Sequence, residues 1–139
     1  KVEPVSHTGL SKESIHYCKQ NNIDIEAALA LVNHSSALVI KSLEALNRQC
    51  IHLKDTYTLE KITAEELAKL CHNLKTSSQS LGFVRETEQI LSIEKVAKET
   101  QPQTQILLEQ NAFIFKIMSL FVQHSDELLE IEKETKVAE

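Results

Sequence analysis

Residues 63–82, TAEELAKLCHNLKTSSQSLG, encode a complete amphipathic helix with a marked start and end. Thr63 and Glu66 have the spacing of a capping box, in which two side chains satisfy free backbone amides at a helix start. Each helical residue turns the chain by about 100°, which places one set of residues within about a third of the circle. These residues are Leu67, Leu70, Cys71, Leu74, Ser78 and Leu81. The pattern predicts a helix from Thr63 to about Leu81 that buries this side.

His72 lies on the other side of this helix, roughly 150° from the centre of the apolar stripe. We therefore expect an imidazole exposed to solvent in mid-helix, a position that folding alone does not require. Lys75 lies one turn further along on the same side, and Ala68, one turn back, leaves room for a partner to approach. Thr76 and Gln79 share this side. These five residues are called the His72 face.

The composition predicts an all-α fold. A chain of 139 residues is long enough for one domain with a core. It contains only two glycines and two prolines, no tryptophan and few other aromatic residues. Glycine and proline mark turns, and aromatic and β-branched residues favour strands, so their scarcity beside abundant Leu, Ala, Glu, Lys and Gln favours helices.

Charge and hydropathy narrow the functional classes. The net charge of -5 argues against nucleic acid or an anionic membrane as a partner. No apolar run approaches the roughly 20 residues that span a bilayer, and no signal peptide is visible, so we expect a cytoplasmic protein without membrane insertion. Cys18, Cys50 and Cys71 are odd in number and widely spaced, which predicts reduced, mostly buried thiols. The first residue is Lys1 and the single methionine is Met118, which indicates a fragment or a processed chain.

Cap and turn signals divide the rest of the chain into further helices. The predicted helices cover residues 12–20, 24–32, 35–54, 63–81 and 84–99, and a last helix runs from Pro102 into the 130s. Ser11, Asp24 and Ser35 are good N-cap residues. Asn33 and His34 suit a turn, since Asn tolerates the left-handed conformation that ends helices.

Four long helices behind a short N-terminal helical cap predict an antiparallel four-helix bundle. The bundle is expected over residues 10–135, after a tail or linker (1–9) and before a frayed C-terminus (136–139). Gly82 marks a close approach or a break between two helices. The residues expected to face inward include Leu31, Leu38, Ile106 and Phe113.

No catalytic constellation is visible elsewhere in the chain. The other five histidines are expected to be solvated, because each lies in a tail, a turn or a mixed polar face, and no pair has a metal-ligand spacing. They are His7, His16, His34, His52 and His124. We find neither a nucleophile–base–orienter set nor paired carboxylates, so a small enzyme is not favoured.

The His72 face resembles the signature of the histidine-containing phosphotransfer (HPt) family of bacterial, fungal and plant phosphorelays. That signature runs Ala-His, a variable residue, an apolar residue, Lys-Gly, two small residues and, ten positions after the histidine, Gly. The residues that match in register are His72, Leu74, Lys75, Ser77, Ser78, Leu81 and Gly82. Residues 23–29 also resemble the family's opening helix, and Ile93-Glu94 falls where the next helix often has Leu-Glu. The similarity covers about residues 10–135.

Three residues depart from the family pattern. Cys71 replaces the usual alanine, Thr76 replaces the glycine after the lysine, and Glu86 occupies a position that is often apolar. Thr76 matters most, because glycine at this place lets a partner's active site come close. A threonine there either crowds the partner or donates a hydroxyl hydrogen bond to the phosphoryl group.

The resemblance implies a phosphorelay intermediate of a two-component system. His72 would accept a phosphoryl group from the aspartyl phosphate of a response-regulator receiver domain and pass it on, and Lys75 would offset the charge of phosphohistidine. The further roles would be receiver docking for Ala68, Thr76 and Gln79, and close helix packing for Ser78 and Gly82. This chain would bind no cofactor, because the receiver would hold Mg²⁺. With two glycines it has no Gly-rich loop for ATP, so it would be a carrier and not an enzyme, alone or within a hybrid sensor histidine kinase.

The alternative is an HPt-like helical interaction module in which phosphotransfer is weakened or lost. Thr76 is the main support for this alternative. Incubation with phosphorylated receivers discriminates the two, because only a carrier takes up an acid-labile label on His72.

Overall fold

The computed structural model describes residues 9–99 and 102–138, with side chains described as far as Thr135. Within this part of the chain the protein is helical and has no β-strand, which confirms the predicted all-α class. The α-helices are α1 (Lys12–Gln20), α2 (Ile25–Leu31), α3 (Ser36–Thr56), α4 (Ala64–Ser80), α5 (Val84–Lys98) and α6 (Thr104–Ala138), and a 3-10 helix spans Leu59–Lys61. The predicted tail (1–9) and frayed end (136–139) lie largely outside the described side chains and stay predictions.

Two helix pairs make the most extensive contacts: α4 packs on α5, and α3 packs on α6. Helix α6 also contacts α1, α4 and α5, while α2 lies against α3 and α4. The largest fully buried apolar side chains include Leu46, Leu67, Leu74, Phe83, Ile90, Ile93, Ile114, Ile117 and Phe121. Burying one such side chain contributes roughly 1.5–3 kcal/mol. The core therefore holds α4 in place from the side opposite the His72 face.

The predicted caps and turns lie at helix boundaries. Ser11, Asp24 and Ser35 cap α1, α2 and α3 through their side-chain oxygens. At the start of α4, Thr63 Oγ1 accepts from the Glu66 amide (3.1 Å) and Glu66 Oε1 accepts from the Thr63 amide (3.0 Å), which confirms the capping box. Asn33 and His34 adopt φ values of 54° and 62° between α2 and α3, as the turn prediction requires.

Gly82 connects α4 to α5 at a point where the backbone of the α2 N-terminus approaches closely. Its φ is +81°, and a Cβ there would overlap the backbone carbonyl of Asp24. The Asp24 amide donates a hydrogen bond to the Gly82 carbonyl (2.7 Å). The predicted close approach is confirmed, and it fixes the turn that places α4 against α5.

Helix α6 buries a seam whose members recur at alternating spacings of three and four residues. The members are Asn111, Ile114, Met118, Phe121, Ser125, Leu128 and Glu132. Ile106 and Phe113 lie beside the seam and are 40% and 36% exposed, so the prediction that they face inward is wrong. An apolar pattern misses this seam because three of its members are polar. The helix begins at Thr104, so Pro102 precedes the helix and does not belong to its first turn.

Two leucines near the N-terminus are also exposed, contrary to prediction. Leu31 is 68% exposed because it lies about 200° around α2 from the buried Leu29. Leu38 is 47% exposed because it lies about 100° from Val39, which begins the buried stripe of α3. In both helices the buried face is therefore narrower than the full set of apolar residues on the helix.

His124 is buried, so the prediction of a solvated side chain is wrong for this histidine. Its Nδ1 lies 2.7 Å from the Tyr17 hydroxyl, and its ring stacks on Phe83 with centroids 5.9 Å apart. Burial lowers the pKa of His124, while the buried Glu86 acts in the opposite direction. The sequence did not reveal this because the partner residues lie on α1 and α5.

The three cysteines are free and buried, as predicted. Burial raises the pKa of each thiol to about 12. Because the thiolate is the reactive form, the folded protein presents no reactive cysteine among these three.

Helix α6 is long and apolar enough to cross a membrane when judged by length and composition, with a mean hydropathy of 1.2 in its most apolar stretch. This differs from the expectation that no segment approaches the spanning length. Core helices of soluble proteins meet the same criterion. In this structure α6 packs on α3, and its seam includes the buried polar residues Asn111, Ser125 and Glu132.

Candidate functional site

The His72 face lies along α4, and the orientation of this helix agrees with the helical-wheel prediction. The buried residues of α4 are Leu67, Leu70, Cys71, Leu74 and Ser78. The His72 side chain is 67% exposed, in the middle of a 17-residue helix. A rigid helix therefore presents this imidazole to molecules in solution.

Lys75 is paired rather than free. Its side chain is only 27% exposed, and its Nζ donates to Oε1 of Glu94 at 2.7 Å. Glu94 belongs to α5, and its side chain is 6% exposed. The ammonium group that follows His72 by one turn is thus held across the contact between α4 and α5.

The second oxygen of Glu94 connects two more groups. Oε2 lies 3.2 Å from Lys98 Nζ and 3.8 Å from His72 Nδ1. We call His72, Lys75, Glu94 and Lys98 the Glu94 cluster. Burial tends to raise the pKa of the Glu94 carboxyl, but the hydrogen bond from Lys75 and the positive charges of Lys75 and Lys98 outweigh burial and hold that pKa below its ordinary value. The carboxylate is therefore ionised and shared among one imidazole and two ammonium groups.

The helical register of α5 explains why a carboxylate is buried here. Ile90, Ile93 and Ala97 form the buried face of α5, and Glu94 lies directly beside them. A buried carboxylate is costly unless it is paired and hydrogen-bonded. Lys98 lies one turn further along the same helix, and Lys75 approaches from α4. The contact between α4 and α5 therefore assembles the cluster.

Sequence reasoning misses Glu94 as a member of the site. A signal was present, because a helical wheel of residues 84–98 places Glu94 at the edge of the apolar face. A charged residue at such a position requires a cation from a neighbouring helix. The identity of that cation depends on which helix packs against α5, which the wheel does not reveal.

The other predicted docking residues lie on α4 with different exposures. Thr76 and Gln79 are exposed, whereas Ala68 is partly buried and packs against the core. Gln79 lines a surface cavity of about 230 Å³ together with Ala27 of α2 and Val84 of α5. The exposed part of the His72 face therefore extends from His72 towards the end of α4, and docking stays a prediction.

Ser78 and Gly82 lie where α4 meets α5. Ser78 is buried, and its Oγ lies 2.7 Å from Thr87 Oγ1 and 3.4 Å from the Phe83 carbonyl oxygen. Gly82 makes the close approach to Asp24 described above. Both residues are positioned for helix packing and are remote from the exposed side of His72.

No family model matches this chain, and none of the curated proteins or solved structures compared with it gives a significant match. Among the residues that the structure describes, no group of three or more His, Cys, Asp or Glu side chains could hold a metal ion. The functional interpretation therefore rests on the residues of the His72 face and the Glu94 cluster.

The chemistry of the cluster follows from the two ring nitrogens of His72. Nδ1 is the nitrogen near the Glu94 carboxylate, so a proton on Nδ1 leaves the lone pair of Nε2 available as a nucleophile. Lys75 and Lys98 bring two ammonium groups to the same place. This arrangement suits attack by Nε2 on an electrophile that carries negative charge.

Proposed function

We propose that this protein is a phosphoryl carrier of the HPt type, which accepts a phosphoryl group on His72 from a receiver-domain aspartate and passes it on. The observation that carries the proposal is a histidine 67% exposed in mid-helix, with Lys75 and Lys98 gathered beside it. The motif from His72 to Gly82 supports it independently. In this proposal α3 to α6 form an antiparallel four-helix bundle, and α1 and α2 cap one end.

The transfer step needs only a nucleophile and charge stabilisation from this chain. Nε2 of His72 donates its lone pair to phosphorus as the bond between phosphorus and the aspartyl oxygen of the receiver breaks, and the receiver carboxylate leaves with that electron pair. The proton on Nδ1 stays near Glu94. Lys75 and Lys98 favour the negative charge that arrives, and the receiver supplies Mg²⁺. Attack by the aspartate of a second receiver reverses these bond changes.

The receiver would dock on the exposed part of the His72 face. Thr76 and Gln79 continue this surface beyond His72, and the cavity beside Gln79 offers a recess for a partner side chain. The net charge of -5 supports a protein partner over a nucleic acid. The proposed setting is a cytoplasmic two-component phosphorelay.

A transfer assay tests this proposal. Receiver domains are phosphorylated on their aspartate with radiolabelled acetyl phosphate, separated from the donor and mixed with the protein. We expect at least one receiver to transfer an acid-labile, alkali-stable label to the wild-type chain, and none to label His72→Gln. His16→Gln is the matched control, because His16 is also an exposed helical histidine.

Two results would count against the proposal. Label that persists in His72→Gln would place the acceptor elsewhere. Absence of label with every receiver, while the protein binds one of them, would favour the alternative of an HPt-like interaction module without transfer. Thr76 is the observation behind that alternative, since its exposed side chain stands one turn from His72.

A further inference from the structure

We propose that Glu94 destabilises the phosphorylated state of His72 by competing with the phosphoryl group for Lys75 and Lys98. This inference rests on the proposed function, because it concerns the phosphohistidine that the function requires. It assigns to Glu94 a positioning and regulatory role, which is to keep the phosphoryl group ready for onward transfer.

The geometry of the cluster carries this inference. Both cations that lie near His72 are already bound to one carboxylate, Lys75 at 2.7 Å and Lys98 at 3.2 Å. Through the shared Oε2, Lys98 Nζ lies within about 7 Å of His72 Nδ1, which is the sum of the two contacts. A phosphoryl group on Nε2 of the same imidazole would attract these ammonium groups. Their attraction would then be divided between the phosphoryl group and Glu94.

Charge determines the direction of the effect. The Glu94 side chain is 6% exposed, so water screens its charge weakly. Phosphohistidine adds negative charge close to this carboxylate, and like charges at such a distance repel. Lys98 is 61% exposed and flexible, so it can turn towards the phosphoryl group more easily than Glu94 can leave the helix contact. The phosphorylated state therefore keeps an unfavourable interaction that the unphosphorylated state lacks.

A purely structural role for Glu94 predicts the opposite result. If Glu94 served only to hold Lys75 in place, its replacement would release the lysine and weaken the stabilisation of phosphohistidine. Competition predicts that replacement strengthens this stabilisation. The sign of the change thus distinguishes the two roles.

The experiment loads the phosphoryl group without a receiver. Phosphoramidate transfers its phosphoryl group to the imidazole: the bond between phosphorus and the imidazole nitrogen forms, and ammonia leaves. Phosphohistidine is then followed by ³¹P NMR at neutral pH after removal of the reagent. We expect Glu94→Gln to lengthen the half-life of phosphohistidine by about tenfold or more, because the removed charge lies a few Å from the imidazole and acts through an effective dielectric near 20.

Two further variants make the result specific. Lys98→Gln should shorten the half-life, because it removes a cation and leaves Glu94 less neutralised. General damage to the fold would move both variants in the same direction. Glu88→Gln is the matched control, since Glu88 is an exposed glutamate of α5 outside the cluster, and its half-life should equal that of the wild type. Far-ultraviolet circular dichroism and thermal unfolding establish that each variant is folded.

An unchanged or shortened half-life of phosphohistidine in Glu94→Gln would contradict the proposed competition between Glu94 and the phosphoryl group for the two lysines. This outcome is separate from failure of the proposed function, because phosphoramidate phosphorylates exposed histidines without a receiver, and the signal that is missing in His72→Gln identifies phosphohistidine at residue 72. If the protein accepts label from a receiver but Glu94→Gln does not change the half-life, the proposed function is supported and the role proposed for Glu94 is contradicted.

Discussion

At position 76 an exposed threonine stands one helical turn beyond His72, where the HPt signature has glycine. The side chain adds a methyl group and a hydroxyl group to the surface that a receiver would meet. Because the buried side of α4 packs against the core, the helix cannot shift to make room for a partner at this surface. In the proposed transfer, the access of a receiver to His72 would therefore depend on the side chain at residue 76.

We expect Thr76→Gly to accelerate phosphoryl transfer from a receiver, because removal of the side chain lets the partner approach. The helix should lose only about 0.3–0.5 kcal/mol, because threonine is itself a poor helix former and glycine is only slightly worse. Rapid-quench measurement of transfer and urea unfolding give the two quantities. Ala45→Gly in α3 is the control, since Ala45 is an exposed helical residue whose replacement by glycine costs about 1 kcal/mol, at least as much stability as Thr76→Gly. A slower transfer in Thr76→Gly would instead assign a useful hydrogen bond to the threonine hydroxyl.

For single residues, the exposure of His72 could be predicted from the sequence, whereas the charged residues around it could not. Exposure follows from periodicity within one helix, which is a local property. The pairing of Lys75 with Glu94 depends on the distance between α4 and α5, which is fixed by core packing and by the Gly82 turn. The wheel therefore predicted the side of the helix on which His72 is exposed, but treated Lys75 as an unpaired cation.

Helix α6 is the element whose buried face was hardest to predict from hydrophobicity, because that face contains polar residues. Its buried polar residues are satisfied to different degrees. Asn111 Nδ2 donates to the carbonyl oxygens of Leu59 and Ile62, each at 3.1 Å, and so holds the 3-10 helix connection. Ser125 Oγ is buried and has no hydrogen-bond partner among the described residues. Asn111 thus connects α6 to the 3-10 helix connection, whereas the hydroxyl group of Ser125 connects α6 to no other described segment.

We expect opposite effects from truncating these two side chains. Asn111→Ala should lower the free energy of unfolding by about 2 kcal/mol, because the buried hydrogen bond to Ile62 and the part-buried one to Leu59 are lost. Ser125→Ala should leave it unchanged or raise it by up to about 1 kcal/mol, because an unsatisfied buried hydroxyl is removed. Urea unfolding of both variants at neutral pH measures the changes. A large loss in Ser125→Ala would reveal a hydrogen bond that this structure does not contain.

Element boundaries were more predictable than the faces that the elements bury. The caps at Ser11, Asp24, Ser35 and Thr63 depend on two or three neighbouring residues, so local chemistry is sufficient. The inward face of α6 depends on where α3 and α5 lie. Ile106 and Phe113 were assigned inward on hydrophobicity alone, although the seam passes beside them.

At the scale of the whole molecule, the pH dependence of stability should reflect His124. Burial lowers the pKa of His124, and the charge of Glu86 on α5 opposes this effect. The hydroxyl group of Tyr17 on α1 is hydrogen-bonded to Nδ1 of His124. The unfolded chain therefore binds a proton more readily than the folded protein does. The contribution of His124 to stability is complete above the ordinary pKa of 6.5 and is lost as the pH falls below it.

We expect the unfolding free energy of the wild type to fall between pH 7 and pH 5.5 by at most about 1.4 kcal/mol per pH unit, the limit for one proton. His124→Gln should show a flatter dependence in this range, whatever its stability at neutral pH. Glu94, whose pKa is lowered from 4.5, acts mainly at more acidic pH. Urea unfolding across the range measures both slopes, and His16→Gln should keep the wild-type slope. Equal slopes in wild type and His124→Gln would refute this origin.

The attachment of α1 to α6 has a consequence for the order in which the chain folds during synthesis. Ser11 donates to Glu132 through its amide (3.0 Å) and its hydroxyl (2.8 Å), a partner 121 residues away, and Tyr17 reaches His124 across 107 residues. A ribosome must release nearly all of α6 before α1 can make these two contacts. The earliest of the six described helices to be translated therefore completes its packing only after the last one has been translated.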